Sequence, residues 1–184
     1  MYEGNNPTAL NSREWLVSAL FSLMKTKPYS KITVKDICQK ADLSRQTFYN
    51  FFEAKDDIIL FCIKSCYLEM MEGLKSKSPL LLSDITEELT KTFQKNKEII
   101  SIIISQKLEH LLEYELASVI RIFAEQVSPE TEQPSYQYGT AFLTGAISHT
   151  IIYWFQDPHP LPSEQLAKLL ANILSGNYYM IKEK

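Results

Sequence analysis

ITVKDICQKADLSRQTFYNFFEAKDDII, residues 32–59, is the stretch whose reading decides the fold. Thr33 stands ahead of Val34, Ile37, Cys38 and Ala41, apolar positions that share one helical face, which makes it the expected N-cap of a helix over 34–41. Asp42-Leu43 interrupts the pattern with a tight turn. Ser44 then caps a short helix from Arg45 to about Phe51. A longer helix follows from about Lys55 to Lys75, led by Asp56 and Asp57 where the helix dipole favours acids. Helix, short turn and second helix over 33–51 have the dimensions of a helix-turn-helix. Ile37, Leu43 and Phe48 are spaced to lock the two helices together, which leaves Arg45, Gln46, Thr47, Tyr49 and Asn50 for the outward side.

That outward set suits DNA. Arginine offers a bidentate fork to guanine, and Gln and Asn pair with adenine edges. Hydroxyls and helix N-termini bind phosphate oxygens, which positions a protein without reading sequence. An ordinary short polar helix carries similar residues, so spacing alone leaves both readings open. Charge adds an asymmetry. The chain has 19 basic and 22 acidic residues, net -3, yet residues 25–55 hold seven basic against three acidic, net +4. The remainder, 12 basic and 19 acidic, carries -7. A basic segment on an acidic body points one end at a polyanion.

Outward from this segment almost everything reads as helix. Trp15, Leu16, Ala19, Leu20, Leu23 and Met24 recur at helical spacing, with Asn11 and Glu14 resembling a capping box. Pro28 breaks the pattern between Lys25 and Lys31. Ser78-Pro79 is the strongest boundary signal, and helices are expected beyond it near 83–95, 97–105, 107–127, 136–156 and 163–182, the last capped by Ser163. Ile99 to Ile104 is β-branched like a strand but has no partner strands. The expected architecture is all-α, with about nine helices.

Residues from about Ser12 to Leu60 strongly resemble the DNA-binding domain of the TetR/AcrR family of bacterial transcription regulators. The matching marks are Ile32-Thr33-Val34, Asp36-Ile37, Ala41, Leu43-Ser44, Thr47-Phe48-Tyr49, Phe52 and Lys55. The resemblance implies a helix-turn-helix domain over 1–54, a helical regulatory and dimerisation domain over 55–184, and a homodimer on a palindromic DNA operator. It also implies roles by position. Arg45, Gln46, Thr47 and Asn50 would read bases, while Thr33, Ser44, Tyr49 and Lys55 would contact phosphates. Asp42 stands where the family often has glycine; aspartate tolerates a left-handed backbone, so the turn should survive. Glu53 adds negative charge near the expected DNA surface.

The segment GTAFLTGAISHTIIYWFQDPHPLPSEQLAKLL (residues 139–170) resembles a C-terminal domain type common in TetR regulators of low-GC Gram-positive bacteria, through Gly145, Trp154 and the Pro-rich loop. By that pattern the last two helices pair with their two-fold mates. Gly139, Ala141, Gly145 and Ala146 would permit close approach, and Leu166, Leu169, Leu170 and Ile173 would supply the apolar stripe. The same stripe serves equally as an internal core. Tyr67, Met70, Met71, Phe123, Tyr138, Phe142, Tyr153 and Trp154, with His149, line a ligand cavity or fill a solid core. The resemblance leaves the effector open between a small molecule and a protein, because members with an RQTFYN-type segment, among them activators of dihydroxyacetone-kinase operons, look as though they respond through a protein partner.

Other chemistries find little support. Cys62 and Cys66 share a helix face but lack further zinc ligands, so they read as small buried hydrophobes and no metal or cofactor is expected. No nucleophile elbow or phosphate-cradling glycine loop appears, and an enzyme is not expected. Three cysteines, no secretion signal and no apolar run near the roughly 20 residues that span a bilayer fit a soluble cytoplasmic protein without membrane contact. The leading expectation is a sequence-specific, dimeric repressor released by an effector. The rival is a helical ligand-binding or adaptor protein that has lost DNA binding.

Overall fold

A computed structural model describes residues 7–127 and 133–177 of the 184-residue chain. Its helices are α1 (Pro7–Met24), α2 (Val34–Ala41), α3 (Arg45–Phe51), α4 (Lys55–Leu74), α5 (Leu82–Lys95), α6 (Lys97–Ser105), α7 (Glu109–Val127), α8 (Gln133–Gln156) and α9 (Ser163–Leu174). A 3-10 turn over Tyr29–Lys31 joins α1 to α2, and no strand occurs among the described residues. The expected all-α architecture is what the chain forms.

Local chemistry explains most boundaries. Thr33 Oγ1 accepts from the Asp36 amide while Asp36 reaches back to the Thr33 amide, a reciprocal cap that starts α2. Ser44 accepts from the Thr47 amide at 3.0 Å and starts α3. Asp57 accepts from the amides of Glu53 and Ala54 and starts α4. The turn between α2 and α3 survives without glycine. Asp42 sits at φ 54°, ψ 43°, and the Leu43 amide reaches back to the Cys38 carbonyl.

Several boundaries differ from expectation, and α8 begins at Gln133 rather than near 136. α1 begins at Pro7, where a proline at the first helical position loses no bond, so Asn11 and Glu14 lie inside the helix and cap nothing. Lys107, at φ 60°, closes α6 and delays α7 to Glu109. Pro162, not Ser163, occupies the cap of α9, with no side-chain bond. α9 ends at Leu174 because Gly176 takes φ 77° and the Asn177 amide turns back to the Asn172 carbonyl. The expected extension to 182 runs into residues outside those described.

The apolar core is continuous from Leu16 in α1 through Ile58, Ile59 and Ile63 in α4 to Ile151 in α8 and Leu170 in α9. α4 is the shared wall, touching α1 on one side and α5 and α7 on the other. Ser78-Pro79 therefore lies in a connection between packed helices and does not separate independent units. α9 packs on α5, and this overturns one reading: Leu166 and Leu170 are buried within the protomer against α5, not held outward for a partner. No helix among the described residues is long and apolar enough to cross a membrane.

Candidate nucleic-acid interface

α3 is anchored from behind. Phe48 is fully buried, with Ile37 at its level and Phe52 beside it at 5.9 Å between ring centroids. The 3.6-residue period then turns Arg45, Gln46, Tyr49 and Asn50 to solvent, while Thr47 is half-buried. Tyr49, 58% exposed, stands with its ring edge-on to Phe48. The Ser44 and Thr47 hydroxyls bond each other at 2.9 Å, so one of their two protons remains to donate elsewhere.

Two assigned phosphate contacts carry other duties. Thr33 Oγ1 donates to Asp36 Oδ2 at 2.9 Å, so its proton serves the α2 cap. Lys55 Nζ donates to the carbonyls of Tyr29 and Ile32 at 2.7 and 2.9 Å, and sits 4.1 Å above the centre of the Tyr29 ring. It bolts the 3-10 turn to α4. Tyr29 completes this joint: its hydroxyl donates to Asp56, and its amide donates to Gln106 Oε1 at 2.8 Å. Burial, then the Asp56 bond, pushes the Tyr29 phenol far above its ordinary value. The sequence reading missed Tyr29 and Gln106; an aromatic directly after Pro28 was the available signal for the first, and none existed for the second.

The basic segment is also less free than its count suggests. Lys25 pairs with Glu98, and Lys27 pairs with Asp36 at 2.8 Å. Lys27, with the Thr33 bonds, holds the Asp36 carboxyl down to about 2. Lys31, Lys35, Lys40 and Arg45 remain exposed without an ion pair among the described residues. Lys31 and Lys35 flank Thr33 at the start of α2 and were not singled out by sequence.

Of the nine residues considered for a ligand cavity, the eight whose side chains are described do not line one common cavity. Tyr67 and Met70 are buried in the core, Tyr67 against Phe93 with centroids 6.1 Å apart, and Trp154 is buried as well. Met71 packs half-buried on that core. Tyr138, Phe142 and Tyr153 point outward along α8, 79%, 70% and 70% exposed. His149 follows the same side, its Nδ1 3.0 Å from the Gly145 carbonyl, and borders an open groove between α7 and α8. The Phe123 side chain lies outside those described. Gly139 is exposed, and at neither it nor Gly145 would a Cβ meet anything within 4 Å beyond its chain neighbours and its own helix backbone. Cys62 and Cys66 are buried, and burial drives their thiols up to about 12 and about 11.

Family comparison agrees with this geometry. Residues 16–61 match the family described as bacterial regulatory proteins, tetR family, and residues 82–176, over half the chain, match the transcriptional regulator C-terminal region. The chain belongs to the TetR family. Its fold and family are those of DNA-binding transcriptional regulators, not of enzymes. Among TetR relatives, the HTH-type dhaKLM operon transcriptional activator DhaS of Lactococcus lactis is 28% identical over 67 residues, 36% of each chain. Among solved structures, Lin0861 from Listeria innocua superposes with a TM-score of 0.79 at 16% identity, covering 96% of both chains. The dihydroxyacetone kinase operon activator DhaS superposes at 0.57 and 18% identity, covering 90% of this chain and 94% of that one. At such identities the structural likeness shows the fold.

Proposed function

We propose that this TetR regulator works as a cytoplasmic homodimer that sets α3 of each protomer into the major groove of one operator half-site, about 34–36 Å or a multiple apart. Residues 1–54 serve as the reading domain and 55–184 as the regulatory one. The supporting observation is the exposed row Arg45, Gln46, Tyr49 and Asn50 on a helix pinned by the buried Phe48. Arg45, Gln46 and Asn50 read base edges, with Thr47 at the margin. Tyr49, Ser44 and the exposed Lys31 and Lys35 take phosphates. Lys55 keeps one of its three N–H donors for a phosphate after serving two carbonyls. Thr33 contributes chiefly by holding the first amides of α2 in place.

The second copy of the chain covers the α8 face. Tyr138, Phe142 and Tyr153 present an aromatic stripe, with Gly139 and Ala146 exposed among them and Ile173 of α9 41% exposed. A large exposed apolar stripe marks an interaction surface, and a two-fold oligomer matches a palindrome. An effector acts by binding the DNA-competent and incompetent dimers with different affinity. Repression released by an effector is the sign we adopt. The match to an activator, DhaS, supports activation through the same DNA contacts as a second reading. Fluorescence anisotropy on the chain's own upstream DNA tests the proposal, and saturable binding that outlasts competitor DNA is expected. A reporter on the same promoter then reads the sign, falling with a repressor and rising with an activator.

A further inference from the structure

A second cavity lies where the reading domain meets the regulatory body. It measures about 420 Å³, within the roughly 300–1,000 Å³ typical of small-molecule sites. α1, the C-terminal end of α3, α4 and α7 form its walls. The floor is apolar, with Phe52 buried and Leu60 and Phe61 half-buried, and the exposed Leu68 and Tyr114 form a rim. None of these residues belongs to the cavity expected from sequence.

Its polar groups are few and differ in how they are occupied. Asp57 already serves the amides of Glu53 and Ala54. Ser65 donates to the Phe61 carbonyl at 2.8 Å. Glu115 is half-buried, and burial raises its pKa against the pull of Lys64, which favours the neutral form. The Arg13 guanidinium lies 4.4 Å above the Phe61 ring centre, yet its Nε is buried with no acceptor among the described residues. A buried donor left unmet is costly, and the guanidinium that carries it holds no ion pair among the described residues, which leaves its charge for an anion. Lys64 stands exposed at the rim without an ion pair among the described residues and adds positive field.

We propose that this groove binds a small amphipathic carboxylate, its apolar body on Phe52, Leu60 and Phe61 and its carboxylate on the Arg13 guanidinium. The occupant touches α1 and the end of α3 as well as α4 and α7, so it bears directly on how the reading helix is held. Its effect on DNA rests on the function proposed above, whereas binding itself does not.

The test titrates the full-length protein calorimetrically with three probes of one shape: 1-naphthaleneacetate, 1-naphthaleneacetamide and 1-naphthylmethylamine. The acid is expected to bind at least about tenfold tighter than the amide, the worth of a charged hydrogen bond, and the amine weakest. Arg13→Gln should abolish the acid–amide difference and leave the amide unchanged. Should Arg13→Gln fail to fold, Leu60→Trp, which fills the floor, should lose both probes. Equal acid and amide binding, a preference for the amine, or acid binding retained by Leu60→Trp each overturns the site. In anisotropy on upstream DNA, the acid should shift the wild-type Kd by at least about fivefold and the Arg13→Gln Kd not at all. A bound acid that leaves DNA affinity unmoved overturns the effector role. Absence of DNA binding by the protein alone instead refutes the proposed function, and the three-probe comparison still decides the groove.

Discussion

The reading head and the α8 helix solve opposite problems with the same period. In the head, α2 and α3 put Ile37 and Phe48 inward and the polar residues outward, the usual arrangement for a helix facing water. In α8 the inward side holds Thr144 and Ser148 with Ile151 and Trp154, and the outward side carries Tyr138, Phe142 and Tyr153. Two hydroxyls thus lie on the buried side while three aromatics face solvent. The head, with helices of seven and eight residues, buries its large apolar side chains within the protomer, whereas α8 leaves three aromatics uncovered there. Polarity relative to the protomer therefore separates the surface proposed for DNA from the one proposed for the second copy.

Four variants sharpen or break that contrast. Phe48→Ala removes the pin behind α3 and should cost about 3–5 kcal/mol in urea unfolding, with DNA binding lost alongside. A loss below 1 kcal/mol would show that α3 is held by something else. Phe142→Glu with Tyr153→Glu should weaken self-association by at least about 2 kcal/mol and shift light-scattering mass to the monomer; an unchanged mass removes the α8 face from the dimer. Lys55→Ala should lower stability by about 1–3 kcal/mol through its two carbonyl bonds and reduce the salt slope of DNA binding by about one. An unchanged slope with lowered stability leaves Lys55 as a bolt alone. Arg45→Ala should relax discrimination at particular base pairs by about 1–3 kcal/mol, read by site selection, with stability unaltered.

The smallest effect concerns acid. Asp36 keeps its charge down to about pH 2 in the folded chain and would protonate near 3.8 when unfolded. Its contribution is thus complete above pH 3.8 and fades as pH falls toward 2. Asp36→Asn should flatten this part of the acid-unfolding curve; an identical curve would mean the α2 cap does not depend on that charge.

Caps, turns and period are local, and so the head was legible down to Asp42 standing in for glycine. Thr33 and Ser44 each act within four residues of their own position. The body was less legible because its choices are made between elements far apart in sequence. The stripe Leu166, Leu170 and Ile173 reads alike whether it meets α5 or a second copy, and the chain divides it, two inward and one outward. Tyr67 and Tyr153 are equally aromatic by sequence, yet one is core and the other surface. Lys55 matched its family position, but its bonds to Tyr29 and Ile32 depend on a turn over 20 residues away. The Arg13 groove needs four helices to exist and left no trace in any one of them.

Gln106 has a mechanical consequence. Its planar amide grips two strands of the joint at once, Nε2 on the Met24 carbonyl and Oε1 on the Tyr29 amide, both at 2.8 Å. A rigid plate with both edges fastened transmits displacement without stretching. The end of α6 is thereby tied both to the end of α1 and to the 3-10 turn that follows it, so a single side chain joins the regulatory body to the base of the head.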